Sequence, residues 1–265
     1  MINKTNLREV ILSNYELQPT IQNRVNSVFD KGMQFKYKPL QSIQLYLMKN
    51  ADVIMFPSTA KNYGGLVTYR NGNYYIQINT LQPKIYENFI WAHEFYHFEF
   101  EKERIKNVNE VTFIDKDTAL DVHERSANLF AAELLINKEI LELLFKDKCE
   151  QNPDDPLATN IIRLIPDFKL PYKSLVIKLA QDKLISLEDA EEIIDYPYSK
   201  HLPMDFDLSI LEPSKAIKID SLNKLIDVSN IADTMLTSDL ESILKMKEKH
   251  LTRLEQIRQN DFKED

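Results

Sequence analysis

Hydrophobic positions in the first 50 residues recur at helical spacing. Ile21, Val25, Val28 and Phe29 form one such set, and Leu40, Ile43, Leu45, Tyr46 and Leu47 another. Apolar side chains three and four apart share a helix face, so this region is expected to be helical. The period then shortens. Val53-Ile54-Met55-Phe56 is a brief apolar run that stops at Pro57, as a strand does. Gly65 to Tyr69 and Tyr74 to Asn79 are rich in β-branched and aromatic residues, and Arg70-Asn71-Gly72-Asn73 separates them. An Asn-Gly pair between such runs specifies a tight hairpin. A small antiparallel sheet is therefore expected over residues 51–80.

Helical spacing returns near residue 84. One helix is expected from Ile85 to about Ile105. A second is expected from Thr118 to Ile136 with Asp117 as N-cap, and a third from Lys138 to about Phe145 with Asn137 as N-cap. Shorter helices are expected over 157–165, 171–183 and 187–195, the last capped by Ser186. Pro197, Pro203 and Pro213 punctuate 196–219, which reads as an extended linker. Beyond it Leu240, Ile243, Leu244, Met246, Leu251, Leu254 and Ile257 restore helical spacing in a charged tail, 220–265. The expected class is α+β: a mostly helical domain over 1–195 with a small antiparallel sheet, then a linker and a helical C-terminal region.

Composition narrows the function. The chain has 265 residues, 43% of them hydrophobic, which is enough to bury a sizeable core. Its net charge of -8 repels phosphate backbones, so nucleic acid is not an expected partner. The helix over 187–195 carries Glu188, Asp189, Glu191, Glu192 and Asp195, which argues against a DNA-reading helix pair there. No apolar run is long enough to span a membrane, and the N-terminus lacks the pattern of a secretory signal. Cys149 is the only cysteine, so no intramolecular disulfide can form. It lies among charges with no histidine beside it, and a structural role is expected. The reading is a cytoplasmic protein with a protein partner. Three of the 4 glycines, Gly64, Gly65 and Gly72, cluster in the β-rich stretch and mark it as special.

The chemistry concentrates in Ile90-Trp91-Ala92-His93-Glu94-Phe95-Tyr96-His97-Phe98. On a helix, His93 and His97 lie one turn apart on one face and can reach a single metal ion. Glu94 leaves the same turn and can take a proton from a water that the metal has acidified. The flanks are apolar and aromatic, so the helix is expected to be buried. Two buried histidines and a buried glutamate without a partner would be costly, and a cation relieves that cost. A hydrolytic site wants a third protein ligand and an open position. Glu124 lies beside an apolar face formed by Ala127, Phe130, Ala131 and Leu134. It is a candidate ligand, with a solvated helix glutamate as the alternative and His123 as a rival.

At this point the residues resemble the ImmA/IrrE family of bacterial metallopeptidases. The resemblance rests on Ile76-Gln77-Ile78-Asn79, on His93-Glu94-x-x-His97, and on Glu124-x-x-Ala127-Asn128-x-Phe130-Ala131-Ala132-Glu133-Leu134-Leu135. Phe168 to Leu175 is similar to the start of the family's next helix. The likeness covers roughly residues 50–195. It implies a zincin-like fold, zinc held by His93, His97 and Glu124, and Glu94 as general base. It further implies proteolysis of a helix-turn-helix repressor of a phage, mobile element or stress regulon. Manganese or iron would suit the same ligands. Leu135-Ile136-Asn137 and Tyr96 depart from the family's pattern, and the tail has no counterpart in it.

Other roles follow less directly. Gly64 to Tyr69 could be an edge strand that pairs with an extended substrate. Tyr69, Tyr96, His123 and Tyr172 are candidate donors to the oxyanion of a tetrahedral intermediate. Asn128 could orient a ligand. A different class of function is a non-proteolytic metal-containing regulator that sequesters a repressor or other protein partner.

Overall fold

The computed structural model describes residues 2–60, 63–107 and 121–219, with a few isolated positions between 238 and 252. Three helices open the chain: α1 (Leu7–Phe29), the short α2 (Gln34–Tyr37) and α3 (Pro39–Asn50). Strands β1 (Asp52–Phe56), β2 (Gly65–Arg70) and β3 (Asn73–Asn79) follow, then α4 (Lys84–Phe100), α5 (Lys102–Asn107) and α6 (Val122–Leu135). Five helices come next: α7 (Lys138–Gln151), α8 (Leu157–Ile162), α9 (Ile165–Phe168), α10 (Tyr172–Gln181) and α11 (Leu187–Ile193). A two-residue strand, β4 (Lys218–Ile219), ends the described body. The class is α+β, as expected. The tail over 220–265 lies almost wholly outside the described residues.

The sheet order is β2-β3-β1-β4. β2 and β3 form the antiparallel hairpin, with Asn71 at φ 50° and Gly72 at φ 88° supplying the two left-handed residues that a tight turn requires. β1, however, pairs parallel with β3, Asp52 opposite Tyr75 and Phe56 opposite Asn79. The sheet is therefore mixed and not antiparallel. The loop after Pro57 carries β2 past β3 to the far edge, so β1 meets β3 and never β2.

The segment 196–219 is not extended throughout: it holds two short 3-10 helices, Tyr198–Lys200 and Leu208–Leu211, and it packs against the body. Phe206 and Ile210 are buried. Lys84 N–H donates to the Glu212 carbonyl, Lys215 N–H to that of Thr80, and Ile219 pairs with Ile54. The segment thus straps the start of α4 to the sheet.

Helix α4 is the axis of the molecule. Trp91, Phe95, Tyr96 and Phe98 are almost fully buried in a first core with the sheet, α1, α3 and α6. Its N-terminal Ile85 joins a second core built mainly from α7 to α11. Cys149 packs against that second core, where burial raises its thiol pKa. Helix α6 belongs to both cores and is tied to α10 by a buried ion pair, Lys178 Nζ to Glu133 Oε1 at 2.6 Å. Asp182 lies 3.0 Å from the same ammonium. Paired in this way the charges are tolerated, and removing one partner would leave the other stranded.

Candidate metal centre

His93, Glu94 and His97 lie on two successive turns of the buried helix α4, which fixes their side chains by packing. Helix α6 crosses beside it. Its first turn is set by Asp121, whose side chain accepts from the backbone N–H groups of His123 and Glu124. Asp121 is itself extended and caps α6, which begins at Val122; the expected N-cap Asp117 and helix start Thr118 lie outside the described residues. The small Ala127 and Ala131 let the two helices approach closely, and this brings Glu124 over the histidines.

Three side chains converge. His93 Nε2 and His97 Nε2 are 3.1 Å apart, Glu124 Oε2 is 3.2 Å from the first, and Oε1 is 3.5 Å from the second. Ligands about 2 Å from a tetrahedral zinc ion stand about 3.3 Å from one another. The second nitrogen of each ring is occupied. His93 Nδ1 meets Asn128 Oδ1 at 3.0 Å, and His97 Nδ1 meets Glu101 Oε2 at 2.8 Å. A ring whose Nδ1–H donates to oxygen presents the lone pair of Nε2. Among the described residues these three form a cluster that could hold a metal ion. The donor set, two imidazoles and a carboxylate, fits a divalent cation such as zinc. The Glu124 side chain is 30% exposed, which leaves the cluster open on one side.

The electrostatics also call for a cation. Burial disfavours the charged His93 ring, yet the Glu124 hydrogen bond and the charges of Glu94 and Glu124 outweigh it and raise its pKa. Burial pushes the Glu124 carboxyl up, but His93 and His97 more than compensate and hold it at about 2. Glu94 differs. Among the described residues it has no ion-pair partner of its own, and burial raises its pKa against the pull of both histidines. A carboxylate displaced toward neutrality is suited to accept a proton and return it.

Residues 51–179 match the family model Peptidase_M78, described as the IrrE N-terminal-like domain. This stretch of the chain is similar to the IrrE N-terminal-like domain. The match agrees with the ImmA/IrrE resemblance of the motifs and implies a peptidase. Neither the curated proteins nor the solved structures yield a match to the chain.

The other candidate residues separate. Asn128 contacts His93 directly. His123 Nδ1 lies 2.6 Å from Glu101 Oε1, beside the cluster. Tyr172 does not reach the site. Its hydroxyl donates to the Ile193 carbonyl at 3.1 Å and its ring stacks on Tyr198 within the second core. Tyr96 is buried with its hydroxyl bound by Arg24 of α1. Tyr69 sits toward the far end of β2, against Tyr74 and under Lys106.

Glu101 and Tyr63 escaped the sequence reading, and Gly65 and Asn79 were marked in it without these roles. The single helix expected over 85–105 is broken at Glu101, at φ -125° and ψ 21°, which turns that side chain back onto His97. Tyr63 lies near Glu94; burial first, then the Glu94 charge, raises its phenol pKa. Gly65 lies against Glu94. Asn79, the last residue of the Ile-Asn step, holds the loop that delivers both. Its Oδ1 accepts from Ser58 and Leu81 N–H, each at 2.9 Å, and its Nδ2 donates to the carbonyls of Ser58 and Tyr63. The Ile-Asn signal was visible in the sequence, but its purpose was not.

Proposed function

We propose that this chain is a zinc-dependent endopeptidase that hydrolyses peptide bonds of a protein, and that its substrate is a helix-turn-helix repressor. The observation that carries the hydrolytic reading is the convergence of His93, His97 and Glu124 with Glu94 on the same helical turn. A divalent ion bound there supplies Lewis acidity, polarising a peptide carbonyl and acidifying water. The chain's own residues do the rest. Glu94 takes the proton of the attacking water and hands it to the leaving amine. Glu101 and Asn128 hold the two imidazoles in one orientation.

Strand β2 supports a polypeptide substrate. It is the edge of the sheet, and it begins beside Glu94. An edge strand offers backbone donors and acceptors to an extended peptide. The repressor assignment rests on the ImmA/IrrE resemblance alone, and cytoplasmic action accords with it. No helix among the described residues is long and apolar enough to cross a membrane.

The test is incubation of the zinc-loaded protein with the helix-turn-helix protein encoded nearest to it, comparing the parent with Glu94→Gln. Cleavage by the parent and none by the variant supports the reading. If Glu94→Gln preserves the biological effect, the chain acts by sequestration and the peptidase reading fails.

A further inference from the structure

We propose that Glu101 is a positioning residue of the metal centre, its single carboxylate locking two imidazoles at once: His97 toward the ion and His123 toward a cavity beside it. The inference rests on the metal-centre reading above and adds to it a second, non-ligating histidine held by the same group.

Glu101 sits where α4 ends, and the break there folds its side chain inward until it is 8% exposed. Each carboxylate oxygen takes a different ring. Oε2 is 2.8 Å from His97 Nδ1 and Oε1 is 2.6 Å from His123 Nδ1. Arg104 Nε donates to Oε2 at 3.0 Å. A carboxylate that accepts from the Arg104 guanidinium stands as an acceptor toward both rings. Each ring turns its Nδ1 to Glu101, and in a neutral ring that donates from Nδ1 the lone pair is on Nε2.

The two Nε2 atoms have different fates. That of His97 belongs to the three-donor cluster. That of His123 has no hydrogen-bond partner among the described residues, and its side chain is 43% exposed. His123 lines a cavity of about 570 Å³ with Arg24, Tyr96, Glu101, Arg104 and Ser126. His123 also directly precedes Glu124 in α6. One carboxylate thus aligns a ligand on α4 with a second imidazole on α6, and that second ring lines the neighbouring cavity.

The experiment measures the zinc affinity of the full-length protein by chelator competition, together with the nitrogen-15 and proton NMR signals of its histidine rings. In the parent, both His97 and His123 are expected to show a proton on Nδ1. Glu101→Ala is expected to weaken zinc by about 10- to 100-fold. Glu101→Gln preserves volume, but its amide must turn donors toward one of the rings, so one Nδ1 signal is lost and zinc weakens again. His123→Ala is expected to leave zinc affinity unchanged, because His97 keeps its partner. Glu101 variants that bind zinc as tightly as the parent, with both ring signals intact, overturn the proposal. A parent that binds no zinc overturns the metal-centre reading itself, which is a separate result.

Discussion

The α-carbon of Gly65 lies so close to Glu94 that a Cβ built upon it would stand 2.7 Å from Glu94 Oε1. It would also meet Ile90 Cγ2 at 2.7 Å, and Ile90 is packed in the first core. Gly65 has no left-handed backbone angle to explain it, so the glycine is there for this approach. Gly65→Ala is expected to displace β2 or turn Glu94 away, lowering peptide cleavage by about 100-fold, since a shift of about 1 Å costs that much. Zinc affinity should be nearly unaffected. Steady-state cleavage alongside chelator competition checks both halves.

Replacing the general base isolates chemistry from binding. Glu94→Gln keeps the shape of the side chain but cannot take up a proton. Cleavage should fall by roughly 10²- to 10⁴-fold while zinc stoichiometry stays at that of the parent. Loss of bound zinc in this variant would mean that Glu94 does more than accept protons.

The same residue should show a stability cost in the metal-free protein. The folded pKa of Glu94 is raised by burial, above its ordinary value of 4.5. Its contribution to stability is therefore complete below that ordinary value and is lost as pH rises through the raised one. Glu94→Gln, being neutral throughout, is expected to be more stable than the parent at neutral pH, with the difference vanishing in acid. Thermal melts of the chelator-treated proteins across that range would show it. Equal melts at all pH values would contradict a strained carboxylate.

Asn79 should matter although it touches neither metal ligand nor base. Asn79→Ala removes four side-chain hydrogen bonds and leaves buried partners in the loop unsatisfied. A loss of about 1–3 kcal/mol is expected from the least compensated of them. Denaturant titration measures that loss. Cleavage should fall as well, because the loop carries Tyr63 and Gly65.

How much of this was legible beforehand depends on the range of the interactions. His93, Glu94 and His97 were readable because their relation is set by one helix, whose period is known. The Asn71-Gly72 turn was readable for the same reason. Glu124 needed the packing of α6 on α4, which spacing leaves open and the resemblance supplied. Glu101 was missed because its role arises from a break in a helix that the apolar pattern carries straight through. The pairing of β1 with β3 was missed because pattern alone does not say which strands are neighbours. Tyr172 was a plausible oxyanion donor only until the second core claimed its ring and hydroxyl. The strand β4 is two residues long and has no period to detect.

That short strand has a bearing on how the molecule comes to exist. Ile54 and Ile219 are neighbours in the sheet although most of the described body lies between them in the chain. Contacts between such distant residues form late, because the long intervening loop must first be closed. While the chain is being synthesised, the hairpin and the histidine helix leave the ribosome well before the strap that holds the start of that helix. The outer flank of β1 is bare throughout this interval. A nascent chain in this condition is a target for chaperones, and a protein truncated before residue 218 would retain every ligand yet expose an adhesive strand.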